Sequence, residues 1–202
     1  MRLLVRVDAG TEVGSWHIMR CLLLFVELRK LGVKVLYYAA RYLPVVLIRL
    51  TGDSDFEIEE IPTEAHADRL LYNLQCSELQ SEDLDTTLIA SKRICAEFIL
   101  IDQYGATSDY LMAIRCIGMP LDIIDVMADR NITAMEWLLK QNIGEDNLVY
   151  KCRTDYIQLC GPKYALLLQT FSEIRKRISR TCLAKDNRGL ITLRGVKMKE
   201  WP

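Results

Sequence analysis

One of the two histidines in this chain stands where acid–base chemistry is possible. His17 follows Gly14 in the stretch GSWHIMRC, between an apolar run typical of a strand and a longer run typical of a helix. The dipole and the unpaired N–H groups at a helix N-terminus disfavour a protonated imidazole, and a neutral imidazole can act as a general base. The alternative is a histidine that packs in the core and bonds a backbone carbonyl.

Other polar residues follow predicted strands at their carboxyl ends. Asp8 follows the first strand, Asp102 and Tyr104 stand in IDQYG, and Asp125 ends a later apolar run. Ligands of open α/β sheets bind beyond the carboxyl ends of the strands, so these loops are predicted to line one cleft. Each residue also has a structural alternative. Asp8 can order an Asx-turn, Gly14 can supply a positive φ, and the others can cap or pack.

Strand and helix patterns alternate along most of the chain, which predicts an α/β fold with a Rossmann-like parallel sheet and helices on both faces. Gly32 and Gly118 stand where two of the helices should end. Strands are predicted at 2–7, 33–39, 56–61 (an edge strand), 97–102, 121–126 and, with an ambiguous period, 134–140. Helices are predicted at 17–32, 41–50, 81–94, 108–118 and 165–180.

These patterns divide the chain into three parts. Residues 1–165 are predicted to form a Rossmann-like N-terminal domain, and residues 166–188 a linker helix. Residues 189–202 are predicted to begin a second domain or to form a disordered tail. The basic run at 175–180 is interpreted as an exposed helix face, and His66 as a solvated helix residue.

Composition excludes several classes of function. The formal net charge is −1, which argues against nucleic acid as a partner. The apolar runs are too short to span a bilayer, and the charged N-terminus does not match a secretory signal. The seven cysteines have no CxxC spacing, so we interpret them as reduced thiols in a cytoplasmic protein without a metal site.

Four stretches, in order along the chain, resemble the motifs of one family. They are RVDAGTEVGSWHIMRCLLL, IDQYG, IIDVMADRN and LCGPKYALLLQTFSEIR. The family is the UDP-2,4-diacetamido-2,4,6-trideoxy-β-L-altropyranose hydrolases of bacterial pseudaminic acid synthesis. The resemblance extends from residue 2 to about residue 177, and it implies the N-terminal domain of a two-domain fold of the GT-B glycosyltransferase type.

The resemblance also implies a reaction. Family members release UDP from a nucleotide sugar by attack of water at the anomeric carbon, with inversion and without a metal or other cofactor. The family's catalytic histidine corresponds to His17. Arg6 and Asp8 match its first loop, and Tyr104 matches a tyrosine near the sugar. The motifs further imply substrate-binding positions at Gly14 and Asp125.

The chain departs from the family at several positions. Trp16, Gln103, Val126 and Leu168 replace a glycine, a histidine, an aspartate and an arginine. Family members continue into a second domain that binds UDP. We therefore expect this chain alone to hydrolyse a UDP-sugar barely above background, or to need a separately encoded second domain. A non-catalytic remnant that binds a sugar or a protein partner, and a GT-B-type glycosyltransferase, are the alternatives.

Overall fold

The computed structural model describes residues 1–7, 16–40, 57–61, 77–103, 106–125, 135–144, 156–167 and 169–177. The helix predicted at 41–50 and the predicted tail at 189–202 lie outside these residues. Within the described helices, none is long and apolar enough to cross a membrane.

Seven described strands form one parallel sheet. They are β1 (Arg2–Val7), β2 (Lys34–Ala40), β3 (Glu57–Ile61), β4 (Phe98–Asp102), β5 (Leu121–Ile124), β6 (Trp137–Lys140) and β7 (Ile157–Cys160). Their order across the sheet is β3-β2-β1-β4-β5-β6-β7, and every neighbouring pair is parallel. The chain runs outward from β1 to β3, then returns to β4 and continues to the other edge. This order confirms the predicted Rossmann-like α/β class and the edge position of β3.

Helices cover both faces of the sheet, as predicted. The described helices are α1 (Trp16–Lys30), α2 (Ser77–Arg93), α3 (Ser108–Cys116) and α4 (Gln169–Arg177), with a 3₁₀ turn at Pro162–Tyr164. Alternate residues of β1 point to opposite faces: Val5 packs with α1, and Leu4 packs with α2 and α3. β1 is therefore buried on both sides, as expected for a central strand of a parallel sheet.

Gly32 ends α1 as the sequence predicts. The Val33 N–H donates to the Leu28 carbonyl and the Gly32 N–H to the Arg29 carbonyl, the two bonds of a Schellman motif. The φ of Gly32 is +79°, a left-handed conformation that favours glycine. This tight stop leads directly into β2 and fixes α1 against the first two strands.

The last part of the sheet differs from the prediction. The run at 134–140 contains strand β6 (Trp137–Lys140), as predicted, but no strand was predicted where β7 lies. Residues 165–167 of the predicted helix at 165–180 are not helical, and α4 begins only at Gln169, after the 3₁₀ turn. Residues 178–180 lie outside the described residues. Pro162 favours a helical start but lacks an N–H, and Ala165 is extended, which separates the turn from α4.

Candidate functional site

The candidate site lies between β1 and β4, where the strand order reverses. Val7 and Asp102 are register partners at the carboxyl ends of these two strands. In doubly wound sheets this reversal leaves a crevice in which ligands bind. The structure therefore places Asp102, the last residue of β4, at the predicted ligand-binding edge.

α1 directs three polar side chains toward Asp102. His17 is the second residue of α1, which confirms that it lies at a helix N-terminus. Arg20 and Cys21 follow at positions i+3 and i+4, on the same face of the helix. All three are buried, with His17 only 1% exposed. The helix therefore holds an imidazole, a guanidinium and a thiol over the end of β4.

Both oxygens of the Asp102 carboxylate accept hydrogen bonds from these side chains. Nδ1 of His17 lies 2.6 Å from Oδ1, and Nη2 of Arg20 donates to the same oxygen. Nε of Arg20 lies 2.5 Å from Oδ2, and Sγ of Cys21 donates to Oδ2 at 3.3 Å. Charge-assisted bonds of this kind fix both geometry and orientation. The carboxylate is thereby locked in one orientation, facing the imidazole.

The charge state of the cluster follows from its contacts. Burial alone would raise the pKa of Asp102, but hydrogen bonds from Arg20 and His17 and the charge of Arg20 hold it below its ordinary value. Burial, together with the charge of Asp102, raises the pKa of the Cys21 thiol. Asp102 is therefore an anion at neutral pH, and Cys21 is a protonated donor rather than a nucleophile.

The contacts also select the tautomer of His17. Nδ1 lies 2.6 Å from an ionised oxygen, so it must carry a proton and donate it to Asp102. Nη2 of Arg20 lies 2.9 Å from the same nitrogen because both groups converge on Oδ1. The lone pair of the neutral ring is then on Nε2. An imidazole oriented in this way by a carboxylate is the arrangement of a general base.

Arg6 lies on the opposite face of the sheet from His17. Its Nε donates to Oδ1 of Asp83 at 3.0 Å, and its Nη1 donates to the Val7 carbonyl at 2.8 Å. Tyr110 and Thr87 also bond the Asp83 carboxylate, at 2.7 and 3.3 Å. The structure therefore does not bring Arg6 together with His17, and its role in substrate binding stays a prediction.

The other predicted site residues divide into two groups. Asp8, Gly14 and Tyr104 lie outside the described residues, so their roles also stay predictions. Asp125 is buried just after β5, and its backbone N–H donates to the Leu139 carbonyl at 3.0 Å. Trp16 stands where the family that the chain resembles has a glycine. It is the first residue of α1 and is half exposed.

Sequence reasoning missed the pairing of His17 with Asp102 and the part played by Arg20. It considered Asp102 as a substrate-orienting or capping residue only. The spacing of His17, Arg20 and Cys21 was a usable signal, because it places three polar or reactive side chains on one helix face. Their partner lies 85 positions from His17, and only the strand order brings it near.

The described residues contain no group of three His, Cys, Asp or Glu side chains placed to hold a metal ion. Both oxygens of Asp102 already accept hydrogen bonds, from the side chains of His17, Arg20 and Cys21. The contact between His17 and Asp102 is suited to proton transfer by the imidazole.

The chain was compared with protein families, curated proteins and solved structures. No family model and no curated protein matches the chain. Among solved structures, the chain is similar to MurG from Acinetobacter baumannii, with 15% identity and a TM-score of 0.47 over 75% of this chain. The chain spans 44% of the length of that MurG chain. The Rossmann-like α/β class rests on the strand order and parallel register described above.

Proposed function

We propose that this chain is the sugar-processing domain of a nucleotide-sugar hydrolase of the GT-B type, with His17 as its general base. The observation that carries the proposal is the 2.6 Å contact between Nδ1 of His17 and Oδ1 of Asp102 at the strand-order reversal. The motif resemblance supplies the substrate class, a UDP-linked diacetamido-trideoxy sugar. Geometry and resemblance thus select the same histidine by independent routes.

In the proposed reaction, Nε2 of His17 removes a proton from a water molecule as its oxygen attacks the anomeric carbon. The bond from that carbon to the diphosphate oxygen breaks, and UDP leaves from the opposite face with inversion. The proton on the imidazole then passes to solvent. Asp102 stabilises the imidazolium by the bond from Nδ1, while Arg20 keeps Asp102 from taking the proton itself.

Burial strengthens the interaction between His17 and Asp102. His17 is 1% exposed and Asp102 is fully buried, so their interaction is screened far less than it would be at the surface. A water molecule held against this ring would be activated in a low-dielectric environment with a fixed partner. Positioned acid–base groups of this kind typically contribute a factor of about 10²–10⁴ in rate.

The test measures UDP release from a panel of UDP-sugars, including the UDP-linked diacetamido-trideoxy sugar. Because the resemblance assigns UDP binding to a second domain, both the chain alone and a fusion to the second domain of a full-length family member are assayed. In the fusion, His17→Gln should lower the rate by about 10²–10⁴-fold. The matched control is Tyr110→Phe, which changes a buried hydrogen-bonding side chain on the other face of the sheet.

The outcomes separate the alternatives. UDP release that needs an added hydroxyl acceptor would assign the chain to sugar transfer rather than hydrolysis. Equal rates for the fusion and its His17→Gln variant would contradict the role of His17. No release by the fusion from any sugar would leave a sugar- or partner-binding domain as the correct description.

A further inference from the structure

A second group of buried polar side chains lies at the carboxyl ends of β4, β5 and β6. Lys140 is fully buried, Asp125 is 2% exposed and Gln103 is 3% exposed. The register pairs Ile101 with Ile123 and Ile123 with Leu138, and two residues further along each strand stand Gln103, Asp125 and Lys140. We call these three residues the edge row.

The backbone bonds of the sheet continue into the edge row. The Asp125 N–H donates to the Leu139 carbonyl at 3.0 Å, and the Gly161 N–H donates to the Lys140 carbonyl at 2.8 Å. These are the bonds expected when Asp125 pairs with Lys140 and Lys140 with Cys160 in parallel register. The edge row is therefore held by the sheet itself, and its side chains extend the face covered by α2 and α3.

One atom of the edge row lacks the hydrogen bond that burial demands. Among the described residues, none donates to Oε1 of Gln103, although that atom is buried. A buried acceptor left without a donor is costly, and native proteins leave few such atoms. Its position beyond the carboxyl end of β4 is where an α/β sheet binds its ligand. The missing donor is therefore one that a ligand can supply.

We propose that the edge row is a ligand subsite in which Oε1 of Gln103 accepts a hydrogen bond from an acylamino N–H of a sugar. Asp125 and Lys140 carry opposite formal charges, so the row suits a neutral polar group better than a phosphate or an ammonium group. An acylamino group offers one N–H donor beside a carbonyl acceptor, which matches a row that contains both acceptors and donors. This inference rests on the proposed function only for its choice of a sugar.

The test uses two probes without a nucleotide, the methyl glycosides of N-acetylglucosamine and of glucose, at millimolar concentrations. Binding to the full ¹⁵N-labelled chain is followed by NMR of the side-chain amide of Gln103, identified by its loss in Gln103→Met. The N-acetyl probe should shift this resonance and bind at least about tenfold more tightly than the glucoside. Gln103→Met should remove that preference, since the acceptor is gone.

Gln158 on β7 provides the matched control, because its Oε1 already accepts a bond from the Tyr156 hydroxyl at 3.2 Å. Gln158→Met should keep the preference for the N-acetyl probe. Gln103→Met should also unfold at an equal or higher urea concentration than the wild type, because it removes an unsatisfied acceptor. A structural glutamine would instead lower that midpoint on replacement.

The inference is overturned if neither glycoside moves the Gln103 resonance, or if Gln103→Met binds the N-acetyl probe as the wild type does. His17→Gln should bind both probes normally. Loss of hydrolysis in His17→Gln with no effect of Gln103→Met on binding would retain the proposed function and refute the subsite. Unchanged hydrolysis in His17→Gln, together with loss of the N-acetyl preference in Gln103→Met, would retain the subsite and refute the role of His17.

Discussion

Two buried carboxylates lie on opposite faces of the sheet, and each is paired with an arginine. Asp83 of α2 binds Arg6 of β1, and Asp102 of β4 binds Arg20 of α1. Burial would raise both pKa values, yet the arginines and the neighbouring donors hold both below their ordinary value. The two pairs are therefore alike in burial, in their arginine partner and in the direction of the pKa shift. They differ in the side chains that supply the remaining hydrogen bonds.

Asp83 takes its remaining bonds from the hydroxyls of Tyr110 and Thr87, whereas Asp102 takes one from His17. Burial raises the pKa of Tyr110, so that hydroxyl stays protonated over the physiological range. The imidazole of His17, by contrast, has a second nitrogen, Nε2, that can accept a proton while Nδ1 stays bonded to Asp102. One pair therefore ties α2 and α3 to the sheet, and the other holds a group suited to proton transfer at the ligand-binding edge.

The largest expected effects come from removing either carboxylate. Asp83→Ala and Asp102→Ala each leave a buried guanidinium without its partner, and each should lower the free energy of unfolding by about 3–5 kcal/mol. Urea denaturation measures this loss. In the fusion with a second domain, only Asp102→Ala should also lower UDP release per folded molecule, by about 10²–10⁴-fold. Equal loss of activity in Asp83→Ala would remove the distinction between the two pairs.

A third buried carboxylate, Asp122, titrates in the opposite direction. Burial raises its pKa from 3.8 to about 7, although the Trp137 backbone and indole N–H groups oppose the shift. Between these values the folded protein holds a proton that the unfolded chain releases. Stability should therefore fall as the pH rises from about 4 to about 7, by about 1.4 kcal/mol per pH unit, and then level off.

Urea denaturation across this pH range tests the prediction for Asp122. Asp122→Asn should flatten the decline, and the matched control Asp85→Asn, at an exposed position of α2, should keep it. Asp83 and Asp102 affect stability at lower pH than Asp122 does. The stabilisation that they give is complete above the ordinary carboxyl pKa, and it is lost as the pH falls through their lowered pKa values. An unchanged decline in Asp122→Asn would contradict the prediction.

The smallest expected effect concerns the hydroxyl donor to Asp83. Tyr110→Phe removes a 2.7 Å bond to a charged oxygen and should lower the free energy of unfolding by about 1.5–3 kcal/mol. UDP release by the folded fusion should not change, since Tyr110 lies across the sheet from His17. A rate loss comparable to that of His17→Gln would show that the two faces are coupled.

Much of the fold could be predicted from local patterns. The apolar runs of β1 and β4, the helix stop at Gly32 and the edge strand β3 all have signals within a few residues. β7 was not predicted because its sequence shows neither a long apolar run nor clear alternation. Its four residues include Gln158 and the exposed Ile157. Its place comes from pairing with β6 rather than from its own sequence.

The candidate site could be predicted only in part. His17 at a helix start was visible from the sequence, because strand, loop and helix signals surround it. The bonds from Arg20 and His17 to Asp102 were not, since they depend on β1 and β4 being neighbours although β2 and β3 lie between them in the chain. The pairing of Arg6 with Asp83 could not be predicted either, because the two residues are 77 positions apart in the chain.

The tautomer of His17 decides whether Asp102 orients a general base. Long-range ¹H–¹⁵N NMR of the imidazoles can measure it, and the chain has only two histidines to distinguish. When neutral, His17 should carry its proton on Nδ1, with an unprotonated Nε2, and Asp102→Asn should shift the proton toward Nε2. A neutral His17 with its proton on Nε2 in the wild-type chain would contradict the proposed role of Asp102 and, with it, the assignment of His17 as the base.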